Sequence, residues 1–302
     1  MAKIHSCPAG QQRFLAETVT HFHSFTKIEN LKEVLYCKKT IFLFKIPTSV
    51  VFVFLGNMKI TLIGGGKLGK QLYSAFTAQT ELKLVQWVVR SAEKTKTSEG
   101  IPLSNEIKEL YPTDLYLIAV SDQAIPSVAG ALPMEAFVVH TAGGVAIEAL
   151  NQNRAGVLYP LQTFSEGRKI NFSKLPIGLE CKKASDLPLL EKLVKKLGAT
   201  SFHMNSQQRE QLHLAAVLVN NFTNHLFVEA AAICAQNNLP FELLKPLIKE
   251  TVDKLQDLSP KASQTGPAVR NDHKTIEKHL ELIQEHRLQE IYKVLTSAIQ
   301  NK

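Results

Sequence analysis

The sequence predicts an α/β fold, a doubly wound sheet followed by an all-helical C-terminal domain, and three observations carry that expectation. The apolar stretch 58–63 runs directly into Gly64-Gly65-Gly66-Lys67-Leu68-Gly69, and residues 67–79 then read as a helix. Residues 82–89 are a largely apolar strand around Trp87, and 114–120 and 137–140 are near-continuous apolar runs, the pattern of parallel strands covered on both faces. From Ser206 onward the pattern is helical throughout. The glycine run is G-x-G-x-x-G in its strand–turn–helix setting, the mark of a Rossmann-type dinucleotide site. Gly64 permits the sharp turn, Gly66 has no Cβ to obstruct a pyrophosphate, and Gly69 lets helix and strand pack closely. Free N–H groups at the helix start face the phosphates. Gly64, Gly65, Gly66, Lys67, Leu68 and Gly69 are therefore the first cofactor-binding candidates.

Residues 1–57 differ in kind from the rest of the chain. Their first half scatters His, Cys and charged residues without a sustained period, and residues 40–55 are strongly apolar but broken by Lys45 and Pro47. That run is short against the roughly 20 apolar residues of a membrane span. It is also badly placed for a signal peptide, with no small-residue cleavage site after it. The favoured reading is a dispensable extension upstream of a natural start at Met58, with a membrane anchor through residues 40–55 as the alternative. The working protein is expected in residues 58–302.

Composition fits a globular protein, with 45% hydrophobic and 21% charged residues, and 302 residues suggest two domains once the extension is set aside. The net charge of +8 is spread along helices and lacks aromatic interleaving, so nucleic acid is not an expected partner. A modest positive field suits an anionic cofactor or substrate. The four cysteines, Cys7, Cys37, Cys181 and Cys234, form no C-x-x-C pair. Neither a disulfide framework nor a metal site is expected, and a reducing cytoplasm fits.

The strand at residues 82–89 ends in Arg90-Ser91, where an NAD-preferring site would carry an Asp or Glu. An arginine and a hydroxyl can clasp a 2′-phosphate, so NADP is the expected cofactor; a solvent-facing arginine is the plain alternative. The next strands end in Val120-Ser121-Asp122-Gln123 and in His140-Thr141-Ala142-Gly143-Gly144. Ligands of open α/β sheets lie beyond the carboxyl ends of the strands. Val120 and Ser121 join the cofactor candidates, and His140 is a catalytic candidate. A strand near residues 175–180, an amphipathic helix over 186–197 with Gly198 as its C-cap, and a last strand over 200–204 close the dinucleotide domain, 58–204. The helical domain, 205–302, holds helices over 207–237 and 242–255. A third is capped by Asn271 or Asp272 and runs to about residue 300. The first of these is too apolar for a surface element and should be buried in a bundle or against a second subunit.

This order of parts resembles pyrroline-5-carboxylate reductase and, more distantly, 6-phosphogluconate dehydrogenase and ketopantoate reductase. His140-Thr141-Ala142-Gly143, the run Tyr159-Pro160-Leu161-Gln162-Thr163-Phe164, Asn220-Asn221, and Thr265-Gly266-Pro267-Ala268-Val269-Arg270-Asn271-Asp272 carry a closer likeness. They resemble a bacterial family that joins a Rossmann-like domain to a C-terminal domain of unknown function. The likeness covers residues 58–302 and implies an NADP-dependent oxidoreductase fold that dimerises through its helices. It supplies no substrate.

One departure bears on chemistry. The β-hydroxyacid dehydrogenases carry Lys-x-x-Asn on the first long helix, with the lysine as acid/base, whereas this chain has Val217-Leu218-Val219-Asn220. Val217 cannot move a proton. Reduction of an imine asks less, because an iminium accepts hydride with only positioning and a proton donor needed. On helical spacing His213, Asn220 and Asn224 share one face. His213 could donate a proton near neutral pH, and the asparagines could orient a carbonyl, imine or amide. Polar residues on a buried helix also bond loop backbones, so both readings stand. Arg270 could receive a substrate carboxylate as a bidentate fork or pin its loop, and Asp272 reads best as an N-cap. Gln162 joins Asn224 and Arg270 as a substrate candidate. The expected activity is hydride transfer to or from a small, anionic C=N or C=O substrate. The alternative is a non-catalytic NADP-binding sensor or scaffold dimer.

Overall fold

The computed structural model describes residues 34–37, 40–43, 57–93, 95–107 and 109–301. The chain divides into two units, Met1–Leu55 and Gly56–Lys302. In the first, β1 (Val34–Cys37) and β2 (Thr40–Leu43) pair antiparallel. The remaining expectations for the extension lie outside the described residues. No helix among the described residues is long and apolar enough to cross a membrane.

The second unit is built on an eight-stranded sheet. Its strands are β3 (Met58–Ile63), β4 (Leu82–Val88), β5 (Leu103–Ser104), β6 (Leu115–Ile118), β7 (Phe137–His140), β8 (Arg154–Pro160), β9 (Pro176–Cys181) and β10 (Thr200–His203). They lie in the order β10-β9-β8-β7-β6-β3-β4-β5. Neighbours run parallel except β8 and β9, which pair antiparallel. This is the Rossmann-type sheet expected from the sequence. The chain leaves β3 towards β4 on one side and returns to β6 on the other, so the switch point falls between β3 and β6.

Successive residues of the central strands feed opposite cores. Leu62, Leu117, Val139 and Leu158 pack on one face with Leu72 and Phe76 of α1 (Lys67–Thr77) and with Leu190 and Leu193 of α3 (Leu187–Lys196). Ile63, Ile118, Val138 and Val157 pack on the other with Ile125 and Ala129 of α2 (Ile125–Gly130). Burial on both faces is why these strands read as unbroken apolar runs. Gly198 ends α3 at φ +73°, a left-handed position that glycine fills without a Cβ clash.

The rest is helical: α4 (Ser206–Ala216), a π-helical segment (Val217–Phe222), α5 (Thr223–Gln236), α6 (Lys245–Asp253), α7 (His273–Leu282) and α8 (His286–Gln300). From residue 206 on, only Arg209, Cys234, Ala268 and Ile276 are buried among the described residues. The long apolar helix, expected to be buried in a bundle or against a second subunit, presents Leu218, Val219 and Phe222 at 52%, 75% and 57% exposure in the single chain. A single helix expected from Asp272 to about residue 300 is instead two. Ile283 turns extended, and the Glu285 carboxylate accepts the N–H groups of Arg287 and Leu288, starting a new helix.

Candidate functional site

The glycine turn sits at the switch point, and each glycine has a different physical reason. Gly64 leaves β3 at φ +124°, and a Cβ there would stand 2.1 Å from the Ala119 carbonyl oxygen of the neighbouring strand end. A Cβ on Gly69 would meet the Gly64 carbonyl oxygen at 2.2 Å, so the helix can approach the strand only with glycine here. A Cβ on Gly66 would meet nothing within 4 Å. Packing therefore requires Gly64 and Gly69, whereas the room at Gly66 is open, as a cradle for a phosphate needs. Gly66 is the N-cap of α1 with no side-chain cap and no acidic residue in the first turn. The helix-start N–H groups and the positive dipole end are thus left to an anion. The indole N–H of Trp87 donates to the Gly64 carbonyl at 2.8 Å and the ring stacks on Tyr73 of α1, holding the turn in shape. These residues fit a dinucleotide.

Arg90 and Ser91 lie just past β4 and are both exposed. Among the described residues the Arg90 side chain makes no ion pair, so its guanidinium is available to a ligand. Val120, half-buried against the Gly64 position, and exposed Ser121 lie just past β6.

The loop after β7 meets α4. Gly143 is buried, and a Cβ on it would lie 2.8 Å from both the His213 Nδ1 and the Tyr159 Cε2. His213 and Tyr159 are themselves joined, Nδ1 to hydroxyl, at 3.1 Å. A Cβ on Gly144 would lie 3.7 Å from His213 Cδ2 and 3.9 Å from an Asp122 carboxylate oxygen. The imidazole therefore lies over the Gly143-Gly144 backbone, and an Asp122 carboxylate oxygen approaches the same Gly144 position.

A buried brace fixes α4 in this place. Arg209, 0% exposed, pairs with the Glu180 carboxylate of β9 and donates to the Val145 carbonyl. Glu180 also accepts the backbone N–H of Ser206 at 2.9 Å and its hydroxyl at 3.0 Å. Ser206, Arg209 and His213 recur at helical spacing on one face, so the brace aims the histidine.

His140 is 0% exposed within the end of β7. Its Nδ1 accepts the Ala142 N–H at 3.2 Å, and its Nε2 has no hydrogen-bond partner of ordinary length. Burial first, then the Arg209 guanidinium, push its pKa down to about 4, against a smaller pull from the Ala146 backbone. His140 is thus a neutral interior residue beneath the loop that carries Gly143. Cys181, half-buried, has its thiol pushed up to about 12, chiefly by burial, and is no nucleophile at neutral pH.

Asn220 lies in the π-helical segment, exposed, with its amide 3.4 Å from Asn221 Oδ1. The segment changes the geometry expected from α-helical spacing. A wider turn takes in one more residue, which rotates the next helix by about 100° on the α-helical wheel. Asn224, the second residue of α5, is therefore turned away from the His213 face and is exposed. Gln162 is exposed after β8, its Oε1 accepting the Thr163 N–H at 2.8 Å. Arg270 is exposed beside Asp272. Asp272 caps α7, accepting the Thr275 N–H at 3.2 Å and its hydroxyl at 2.8 Å. Those bonds, the hydroxyl's first, hold its carboxyl below its ordinary pKa.

One cluster thus joins the strand-end loops and α4: Asp122, Gly143, Gly144, Tyr159 and His213. Gln162, Asn220, Asn224 and Arg270 are not part of it within one chain. Sequence reading missed Tyr159, Asp122 and the Glu180–Ser206–Arg209 brace. The signal for the brace was the Ser206, Arg209, His213 spacing, while Tyr159 lay unassigned inside the Tyr-Pro-Leu-Gln-Thr-Phe run.

Residues 175–299 match the family model described as a domain of unknown function, DUF2520; the matched stretch begins at β9. A Bacteroides fragilis protein described as an NADP oxidoreductase is 32% identical. It superposes with a TM-score of 0.72 over 82% of this chain and 99% of that one. The chain belongs to this family of Rossmann-like proteins with a DUF2520 domain. Two more distant structures share the fold alone. A reductive aminase from Aspergillus terreus, solved with NADPH and ethyl-5-oxohexanoate, is 14% identical, with a TM-score of 0.62 over 81% of this chain and 93% of that one. A 1-pyrroline-5-carboxylate reductase from Streptococcus pyogenes is 13% identical, with a TM-score of 0.52 over 81% and 99%. No curated protein matches the chain in sequence.

Proposed function

We propose that the protein is an NADP-dependent oxidoreductase that transfers hydride between the nicotinamide and a small C=N or C=O substrate. The observation that carries this reading is the turn at the switch point, where Gly66 faces open room above an uncapped helix start. Gly64, Gly65, Gly66, Lys67, Leu68 and Gly69 would hold the pyrophosphate, Val120 and Ser121 the adjoining strand end. Arg90 and Ser91 would hold the 2′-phosphate by a charge-assisted fork and a hydroxyl. The name of the 32% identical relative points the same way.

For the reacting group, His213 lies over the Gly143-Gly144 backbone at the strand ends and is the proposed proton donor. Asn220 is proposed to orient the substrate's polar atom, and Gln162, Asn224 and Arg270 to receive its remaining polar groups, Arg270 a carboxylate. His140 supports the loop from below. Val217 in place of an acid/base lysine favours C=N over alcohol chemistry. The exposed apolar face of α4, the π-helical segment and α5 supports a homodimer through the helical domain, which would bring these exposed residues towards a partner's cleft. Residues 58–204 and 205–302 are the proposed domains. Free Cys181 and Cys234 suit a reducing compartment such as the cytoplasm.

Following NADPH absorbance with a panel of cyclic imines and 2-keto acids tests the reaction. Consumption with at least one imine is expected. NADPH binding without consumption of any would favour the non-catalytic sensor or scaffold dimer, which the absent lysine keeps in view.

A further inference from the structure

We propose that Tyr159 is a positioning residue that fixes the His213 imidazole with Nδ1 held and Nε2 offered to the cleft; this rests on the reading of His213 as the proton donor. The two side chains come from distant parts of the chain, β8 and α4, and meet hydroxyl to Nδ1 at 3.1 Å. The rings stand edge-on, with centroids 6.1 Å apart and planes at 78°. Tyr159 is 7% exposed, and among the described residues His213 is the only group that its hydroxyl meets. A hydroxyl carries one hydrogen, and a buried one gives it to the acceptor within reach. Burial, opposed by Arg209, raises the phenol's pKa and keeps that hydrogen on oxygen at neutral pH. The Tyr159 hydroxyl therefore donates to Nδ1, and the neutral ring carries its own hydrogen on Nε2. When the ring is protonated, Nδ1–H donates back to the same oxygen, so the contact survives the charge change.

Two features keep the ring from turning over. Gly143 is packed between Tyr159 and His213, with no room for even a Cβ. One and two turns earlier on α4, Arg209 and Ser206 are bonded to Glu180. Nε2 has no protein partner among the described residues. It adjoins Cδ2, the ring atom that a Cβ on Gly144 would approach at 3.7 Å. A substrate nitrogen or oxygen placed there would meet a donor in one fixed direction, whereas a freely flipping ring would present a donor only part of the time.

The test needs no substrate. Histidine-labelled full-length protein is examined by long-range 1H–15N correlation, with His213 assigned by the spectrum of His213→Gln. In the neutral form Nδ1 should show the shift of an unprotonated, hydrogen-bonded nitrogen and Nε2 that of a protonated one. Tyr159→Phe should move His213 towards a mixture of tautomers and leave His279, which has its own tyrosine partner in Tyr292 at 2.8 Å, unchanged. Gly143→Ala, which displaces the ring but keeps the hydroxyl, should do the same if Tyr159→Phe does not fold. Adding NADPH should shift Nε2 more than Nδ1. A wild-type ring protonated on Nδ1, or 15N shifts that Tyr159→Phe leaves in place, would overturn the proposal. So would an unmoved Nε2 in protein whose fluorescence shows NADPH bound. A failure of NADPH to bind would instead sink the cofactor reading, while the tautomer still decides the role of Tyr159.

Discussion

Gly64 and Gly66 stand two residues apart and answer to different forces. Gly64→Ala would place a Cβ against a carbonyl oxygen at a positive φ, so we expect a stability loss of more than about 1–2 kcal/mol in urea unfolding. Gly66→Ala has room, so its unfolding midpoint should barely change while NADPH affinity falls by roughly tenfold or more. Equal stability losses in both would mean that Gly66 is structural after all. His140 gives a pH signature. Its pKa is lowered to about 4 in the folded chain from the ordinary 6.5, so between those values the unfolded chain binds more protons. The contribution is fully present above about pH 6.5 and is lost as pH falls towards 4, on the order of 3 kcal/mol in all. Replacing His140 with Phe should flatten that part of the stability–pH curve.

Among the elements, α4 depends most on a single buried pair. Arg209→Ala leaves Glu180 at the end of β9 without its cation and should cost about 3–5 kcal/mol by urea unfolding. Glu180→Gln keeps the shape and should cost less. The elements differ in how far the sequence disclosed them. The glycine turn, the parallel strands, the Gly198 C-cap and the Asp272 N-cap were legible because each arises from local chemistry. The strand β8 was not read from the sequence, because Gly156 and the terminal Pro160 weaken its pattern. The division between α7 and α8 rests on one carboxylate reaching two N–H groups, which composition does not display. The π-helical segment at Val217–Phe222 leaves no mark in apolar spacing, yet it decides which residues share a face with His213. The Tyr159–His213 contact joins residues 54 apart in the chain, beyond the reach of any periodicity.

In the molecule as a whole, the sheet keeps a complete core and the helical half does not. Leu214, Leu218, Val219, Phe222, Leu226 and Val228 are all exposed on one chain, a larger apolar surface than a monomer normally leaves to water. A homodimer should appear in light scattering after size exclusion at micromolar concentration, and Phe222→Asp should shift it to monomer without unfolding the sheet. A wild-type monomer would leave that surface unexplained. On this account the turn at the switch point binds NADP, and Arg90 chooses the phosphorylated form. Titrating the protein with NADPH and NADH by fluorescence tests it most directly. NADPH should bind roughly tenfold or more tightly than NADH, and Arg90→Ala should erase the difference. Equal affinity for both in the wild type, or a preference that survives Arg90→Ala, would contradict it.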